Sequence, residues 1–328
     1  MHIVFIMEKK IIEKKLVIVG AGPAGLTAAI YAARAGLDPL VLEKGLVGGQ
    51  VAVSSIVENY PGYTSISGAE LSAKMREHAQ SLDVEIDEFD AIERAELSDS
   101  AKRIITESKI YEPTAVIIAT GAVPKPLLVR NEARFRGKGI HYCALCDGAA
   151  YKGKTVGVVG GGSAAVEEAL YLSNIAEKVI MIRRKSSFHA EKAILERAER
   201  TPNIEILYNT DLIDVGNSAD GSSGSGGDFL DYALVADTLT LEERKIPLSA
   251  VFTYIGSAPR TELLRGSVEL DRYGYIEAGD DMRTSVEGVF AAGDVRTKKY
   301  RQIVTAVSDG AVAALSAEKY IMQKTGKN

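Results

Sequence analysis

The chain's two cysteines stand together in the stretch GIHYCALCDG, residues 139–148, as Cys143-x-x-Cys146 followed by Asp147. Such a pair has three fates: chance buried thiols, half of a metal site, or a disulfide that opens and closes. A closed zinc site needs four ligands. Of the four histidines (His2, His78, His141 and His189) only His141 lies nearby. In a thiol-exchange centre the C-x-x-C spacing lowers the pKa of one thiol and keeps the second within reach to resolve a mixed disulfide. Asp147, beside Cys146, is a candidate general acid that protonates a leaving thiolate. Its bland alternative is a helix or turn cap.

A second chemistry is written twice. Gly20, Gly22 and Gly25, with Pro23 and Ala24 between them, are spaced G-x-G-x-x-G, and Gly160, Gly162 and Ala165, with Ser163 between them, are spaced G-x-G-x-x-A. In such a turn the first glycine bends the chain and the second lets backbone approach a pyrophosphate. The third small residue lets helix and strand pack closely, and the helix N-terminus holds the anion. Glu43 stands 23 residues after Gly20, and Arg183 stands 23 residues after Gly160. A carboxylate there accepts from a ribose diol, whereas an arginine pairs with a 2′-phosphate. Glu43 therefore suits the unphosphorylated adenosine ribose of FAD, and Arg183 with Arg184 suits NADPH. The arginines' plain alternative is a solvated strand end.

The elements around these residues follow from hydrophobic pattern. Leu16–Val19 reads as a buried parallel strand, with an alanine-rich helix to about Ala35 and the next strand at PLVLE. Thr155–Val159 begins the second copy, with a helix to about Ile175 and a strand at KVIMI. The fold class expected is α/β, with two Rossmann-like dinucleotide-binding domains, each three-layered around a mainly parallel sheet. More segments point to the first site. VGGQ supplies Gly49 and Gln50, VIIATGA closes on Thr120 and Gly121, and GVFAAGDV ends near Asp294, ahead of a helix start holding Arg301, Gln302 and Ile303. These last lie more than 250 residues after Gly20, so the second domain is inserted into the first. Prolines place the crossings at GAVPKP (121–126) and IPLSA (246–250). The expected domains are 1–124 with 251–328 for FAD, and 125–250 for NAD(P)H and the cysteines. GNSADGSSGSGG (216–227) is too poor in apolar residues to bury anything and reads as a loop between paired strands.

Composition narrows the function classes. A net charge of −5 gives no footprint for nucleic acid, and no apolar run approaches the ~18–20 residues that span a bilayer. Two cysteines cannot build a secreted disulfide framework, so a cytoplasmic setting is expected. The start, MHIVFIMEKKIIEKK, lacks a leader's charge order and cleavage site. Residues 1–14 are expected to be a non-cleaved extension.

Taken together, GAGPAG, GGQ, VENYPG (with Asn59), IIATGA, CALCDG, GGGSAAVEEALYLSNIA, RRKSSFHAEK and GVFAAGDV…YRQ resemble the low-molecular-weight thioredoxin reductases of bacteria and archaea. The resemblance runs from about Lys15 onward. It implies an FAD-containing homodimer that passes electrons from NADPH to thioredoxin or a thioredoxin-like protein. By the same resemblance, Cys146 faces the flavin and Cys143 attacks the partner's disulfide. The inserted domain then rotates to present the cysteines and the nicotinamide in turn. One departure stands out. The family's H-R-R-x-x-x-R reads Ile182-Arg183-Arg184-Lys185-Ser186-Ser187-Phe188-His189 here. A partly charged histidine replaces a bidentate arginine, so NADPH preference is weakened and NADH is admissible.

Arg130, Arg134, Arg136 and Lys138, just before the cysteines, form a candidate docking patch for an acidic partner surface, or else a solvated loop. Rival readings keep the fold and change the acceptor: a dithiol oxidase, a reductase of a peroxiredoxin partner, or a non-enzymatic flavin redox sensor.

Overall fold

The computed structural model describes residues 9–54, 57–218 and 229–326. Its contacts divide the chain into two compact units, one built from both ends of the chain up to Val123 and from Ala258 onward, the other from Pro124–Ser257.

In the first unit, Glu85–Glu88, Pro39–Glu43, Lys10–Val19 and Lys109–Ile118 lie side by side as parallel strands. On the far side of Lys109–Ile118, Lys102–Thr106 pairs antiparallel with its first half and Val289–Ala291 parallel with its last residues. Leu16, Val17 and Ile18 are all fully buried, which explains their unbroken apolar run: this sheet is covered on both faces. Leu16 and Ile18 pack among the alanines of the helices Pro23–Arg34 and Ile303–Thr325, while Val17 joins Leu40, Leu42 and Tyr111 on the other face. Truncating Ile18 to alanine in such a core costs about 2–5 kcal/mol. The two helices approach closely because Gly310 has no side chain; a Cβ there would run into the carbonyl of Ala24.

The second unit repeats the plan. Ile204–Leu207, Lys178–Ile182, Thr155–Gly160, Ala250–Tyr254 and Ile140–His141 form one parallel sheet, with the helix Ser163–Leu172 packed on it. Thr210–Gly216, Tyr232–Asp237 and Glu243–Pro247 form an antiparallel sheet beside it. The strands flanking the glycine- and serine-rich segment do pair, Gly216 opposite Tyr232; residues 219–227 of that segment lie outside the described residues. Among the described residues no helix is long and apolar enough to cross a membrane.

Two boundaries differ from the sequence reading. The first strand begins at Lys10, not Leu16, and Lys10–Lys14 pair with Lys109–Pro113. Its first half escapes an apolar-run criterion because it is exposed and held by charges such as Lys14–Glu85 at 2.9 Å. The second chain crossing falls at Ser257/Ala258 rather than at 250/251. Val251 and Phe252 are fully buried and pair with Gly157 and Val158, so this strand completes the inserted sheet. Pro247 merely ends an edge strand, where its missing N–H costs nothing.

Candidate redox and dinucleotide sites

The first glycine turn is built by close approach. Gly20 has φ +106°, and a Cβ on it would stand 2.5 Å from the carbonyl oxygen of Ala119. A Cβ on Gly25 would strike the carbonyl of Gly20, so only glycine lets the helix begin so near the strand. Gly22 is the N-cap, Pro23 takes the first helical position, and the first turn holds no acidic residue, leaving the amides open to an anion. Gly48 donates to Ala21 O at 2.8 Å, which lays Gly49 over Gly22. Gln50 follows at the exposed start of a short helical turn. Glu43 accepts from the amides of Ala21 at 2.8 Å and Gly45 at 3.1 Å, fixing its carboxylate beside the turn. Thr120 donates to Arg260 O at 2.7 Å, next to Gly121.

The C-terminal segment reaches the same place. A Cβ on Gly293 would lie 2.8 Å from that of Ala24, so the turn Gly293–Val295 sits on the helix start. Asp294 Oδ1 is buried there without a hydrogen-bond partner. Burial pushes its carboxyl up from the ordinary range, against the pull of Lys298 and Arg301. Asn59 donates to Gln302 Oε1 at 3.3 Å across 243 residues of sequence, and Gln302 in turn caps the helix begun by Ile303. Arg301 lies 4.2 Å over the ring of Tyr275 with its Nε buried and unpartnered. An orphaned buried carboxylate oxygen, open helix amides and an oriented Glu43 fit a dinucleotide with ribose and ribityl hydroxyls. The sequence-predicted residues of the first site thus converge within one unit.

Sequence reasoning missed what holds that turn. Asp309, buried on the helix Ile303–Thr325, accepts from Gly293 N at 3.1 Å and from Lys298 Nζ at 2.8 Å, and Arg296 stands 3.5 Å away. All three are about nine-tenths buried. The available signal was a lone acid in the small-residue run AVSDGAVAAL.

In the second unit, Gly160 packs against Ala165 and Tyr254 O, whereas Gly162 faces open space. Gly162 caps the helix that Ser163 opens, and Ser163 Oγ accepts from Glu191 N at 3.1 Å. Arg183 leaves the strand Lys178–Ile182 and folds back over Gly161. Its Nε donates to Ser187 O at 2.7 Å, its guanidinium lies 5.6 Å over the Phe188 ring, and Nη2 is buried without a partner. His189 closes the loop, its amide donating to Gly161 O at 2.8 Å. Arg184 and Lys185 are exposed. A cationic loop curled onto an open glycine turn fits a phosphorylated dinucleotide.

Cys143 and Cys146 are joined in a disulfide, with Cα atoms 5.3 Å apart. Cys143 is the N-cap of a four-residue helix, Ala144–Asp147, and its Sγ accepts from Cys146 N at 3.1 Å. An amide aimed at that sulfur favours its thiolate once the bond opens. Both cysteines are half-buried, while Leu145 between them is 48% exposed. Asp147 Oδ2 lies 3.2 Å from His141 Nδ1. Nearby, Arg130 pairs with Asp214 at 3.2 Å and Arg136 with the buried Glu132 at 3.5 Å, so part of the basic stretch is spent within the unit.

Two glycine-turn units, one carrying a closed cysteine pair, define a flavin- and nicotinamide-dependent disulfide oxidoreductase. The chain belongs to the family described as "Pyridine nucleotide-disulphide oxidoreductase", whose model matches residues 14–310. It is 47% identical to the "34.2 kDa protein in rubredoxin operon" of Clostridium pasteurianum, over 93% of this chain and 96% of that one. It is 42% identical to the thioredoxin reductase of Bacillus subtilis, over 98% of both chains. Among solved structures, the thioredoxin reductase of Streptococcus pyogenes is 37% identical and superposes with a TM-score of 0.87, over 95% of this chain and 99% of that one.

Proposed function

We propose that the chain is a thioredoxin-disulfide reductase, taking electrons from NADPH through FAD and the Cys143–Cys146 pair to the disulfide of thioredoxin or a thioredoxin-like protein. The observation that carries the reading is the disulfide itself, seated at a helix N-terminus in the same unit as the second glycine turn. When bound, the nicotinamide and the flavin supply a two-electron relay to that disulfide.

The residues divide the remaining tasks. Gly20, Gly22, Pro23, Ala24, Gly25, Gly49, Gln50, Thr120 and Gly121 cradle FAD. Glu43 orients its adenosine ribose, and Asn59, Asp294, Arg301, Gln302 and Ile303 hold the flavin end. Gly160, Gly162, Ser163 and Ala165 receive the nicotinamide dinucleotide, with Arg183, Arg184 and His189 around its 2′-phosphate. Cys143 attacks the partner, Cys146 resolves the mixed disulfide, and Asp147 supplies the proton. The protein works as a homodimer in the cytoplasm, whose reducing poise such a system maintains.

The test is NADPH-dependent reduction of thioredoxin and of an aromatic disulfide by the purified flavoprotein, with Cys146→Ser as control. Turnover that needs Cys146 supports the reading. A protein that consumes oxygen with a small dithiol and ignores NADPH would instead be a dithiol oxidase; the cationic loop of Arg183 over the second glycine turn argues against that. Absence of any steady-state turnover would favour a redox sensor. Mass measurement in solution decides the homodimer.

A further inference from the structure

Beneath the cysteine helix lie two buried polar arms that the reaction scheme leaves unused. In one, Tyr254 OH accepts from Ala144 N at 2.6 Å and shares a side-chain hydrogen bond with Glu168. In the other, His141 stands between Asp147 and Tyr151. Its Nδ1 is 3.2 Å from Asp147 Oδ2, and its Nε2 is 2.7 Å from Tyr151 OH. The imidazole is only 6% exposed. It is stacked on Phe252 with ring centres 5.3 Å apart and met edge-on by Tyr151 at 5.2 Å. The ring cannot turn without losing both hydrogen bonds and the stack.

The network assigns the tautomer. Asp147 Oδ2 facing Nδ1 calls for a proton on that nitrogen, and the Tyr151 hydroxyl, which burial and after it the charge of Asp147 push up to about 12, keeps its own proton to give to Nε2. A hydroxyl that donates to Nε2 leaves a neutral imidazole's one proton on Nδ1, facing the carboxylate. A donor so placed pins one oxygen of Asp147 and leaves the other for chemistry, as buried partners orient catalytic groups elsewhere.

We propose that His141 is a positioning residue for Asp147, locked in its working tautomer by Tyr151. The inference rests on the thioredoxin reductase reading and specifies how its proton donor is aimed. In the exchange, the Cys143 thiolate attacks one sulfur of the partner's disulfide. A bond forms between them, and the partner's own S–S bond breaks toward its second sulfur. The Asp147 carboxylate takes the proton of the Cys146 thiol and passes it to that leaving thiolate. The Cys146 thiolate then attacks Cys143 Sγ, re-forming the enzyme disulfide. The partner's remaining sulfur departs as a thiolate and takes from solvent the proton Cys143 gave up on activation. Two electrons and two protons pass to the partner; His141 gives none of them.

The test uses the holoenzyme with thioredoxin and, separately, an aromatic disulfide. His141→Phe keeps the ring stack and removes both nitrogens. His141→Asn keeps a donor near Nδ1 but has no atom at the Nε2 position to reach Tyr151. The expected result is a kcat about 10-fold lower in His141→Phe with KM within about twofold of wild type, and recovery to within about threefold in His141→Asn. In an Asp147→Asn background the same His141→Phe change should add less than about twofold, because its effect passes through Asp147. Should His141→Phe not fold, Tyr151→Phe carries the test, since it frees Nε2 to take the proton and should lower kcat without moving KM. Equal losses in His141→Phe and His141→Asn, or a full His141→Phe loss persisting without Asp147, overturn the inference while the enzyme reading stands. A wild-type holoenzyme that reduces neither substrate overturns both.

Discussion

Arg183 lies across Gly161 so closely that no side chain fits between them: a Cβ on Gly161 would collide with the guanidinium. The arginine held over that turn is the far end of a flexible side chain, whereas the strand and helix beneath it are rigid. Gly161→Ala should therefore displace Arg183 and leave the fold intact. The expected outcome is a melting temperature within about 2 °C of wild type and a dissociation constant for NADPH raised about 10-fold. Titration calorimetry checks it; unchanged NADPH affinity would mean Arg183 does not serve the nucleotide from this position.

His189 follows from the same loop. Its amide is tied to Gly161, but its side chain is exposed where the thioredoxin reductase family's motif has arginine. His189→Arg supplies a permanently charged fork for a 2′-phosphate. The ratio of kcat/KM for NADPH over NADH should rise about 10-fold, mainly through KM for NADPH, with NADH little changed. A ratio that does not move removes residue 189 from phosphate recognition.

Asp294 yields a pH-dependent prediction. Burial raises its carboxyl in the folded chain, while in the unfolded chain it ionises near ~4. The folded state then binds the extra proton, so this group's contribution to stability is full below pH ~4 and is lost as pH rises through the raised value. In protein stripped of flavin, Asp294→Asn should flatten that part of the melting-temperature profile. It should also reduce the rise in melting temperature on adding FAD, because a hydroxyl partner of the carboxylate is gone. An undiminished FAD shift would separate Asp294 from the cofactor.

What was legible in the sequence was whatever follows from local spacing. Both glycine turns, the strands Leu16–Val19 and Thr155–Val159 within their longer observed spans, and the C-x-x-C all read directly, since each is a few residues whose types are dictated by neighbours in the chain. The start at Lys10 was not, because an exposed charged half-strand carries no apolar signal and is held by a partner about a hundred residues later. The strand Ala250–Tyr254 was assigned to the wrong domain for a similar reason. An apolar run announces burial but not which sheet buries it, and Pro247 imitates a hinge. His141 was visible only as a metal ligand to be discounted. Its bonds to Asp147 and Tyr151 arise from the turn of the chain through a four-residue helix, which spacing does not disclose.

The ion cluster under the first site gives the last prediction. Asp309 compensates two buried cations, Lys298 at 2.8 Å and Arg296 at 3.5 Å, and accepts from the amide of Gly293 besides. Arg296 also donates to Ala278 O and Gly279 O, so the cluster joins the long C-terminal helix to two separate loops. Asp309→Asn would strand both cations in the interior. Lysine can shed its proton there, but arginine cannot. Breaking a buried pair in this way costs about 3–5 kcal/mol, which in a unit of this size lowers the melting temperature by roughly 6–20 °C. Adding Lys298→Met to Asp309→Asn removes one of the stranded charges and should recover part of that loss, since an apolar residue of similar volume is tolerated where an unpaired ion is not. A single variant that melts within about 2 °C of wild type, or a double variant no more stable than the single, would show that the cluster does not bear the Gly293–Val295 turn.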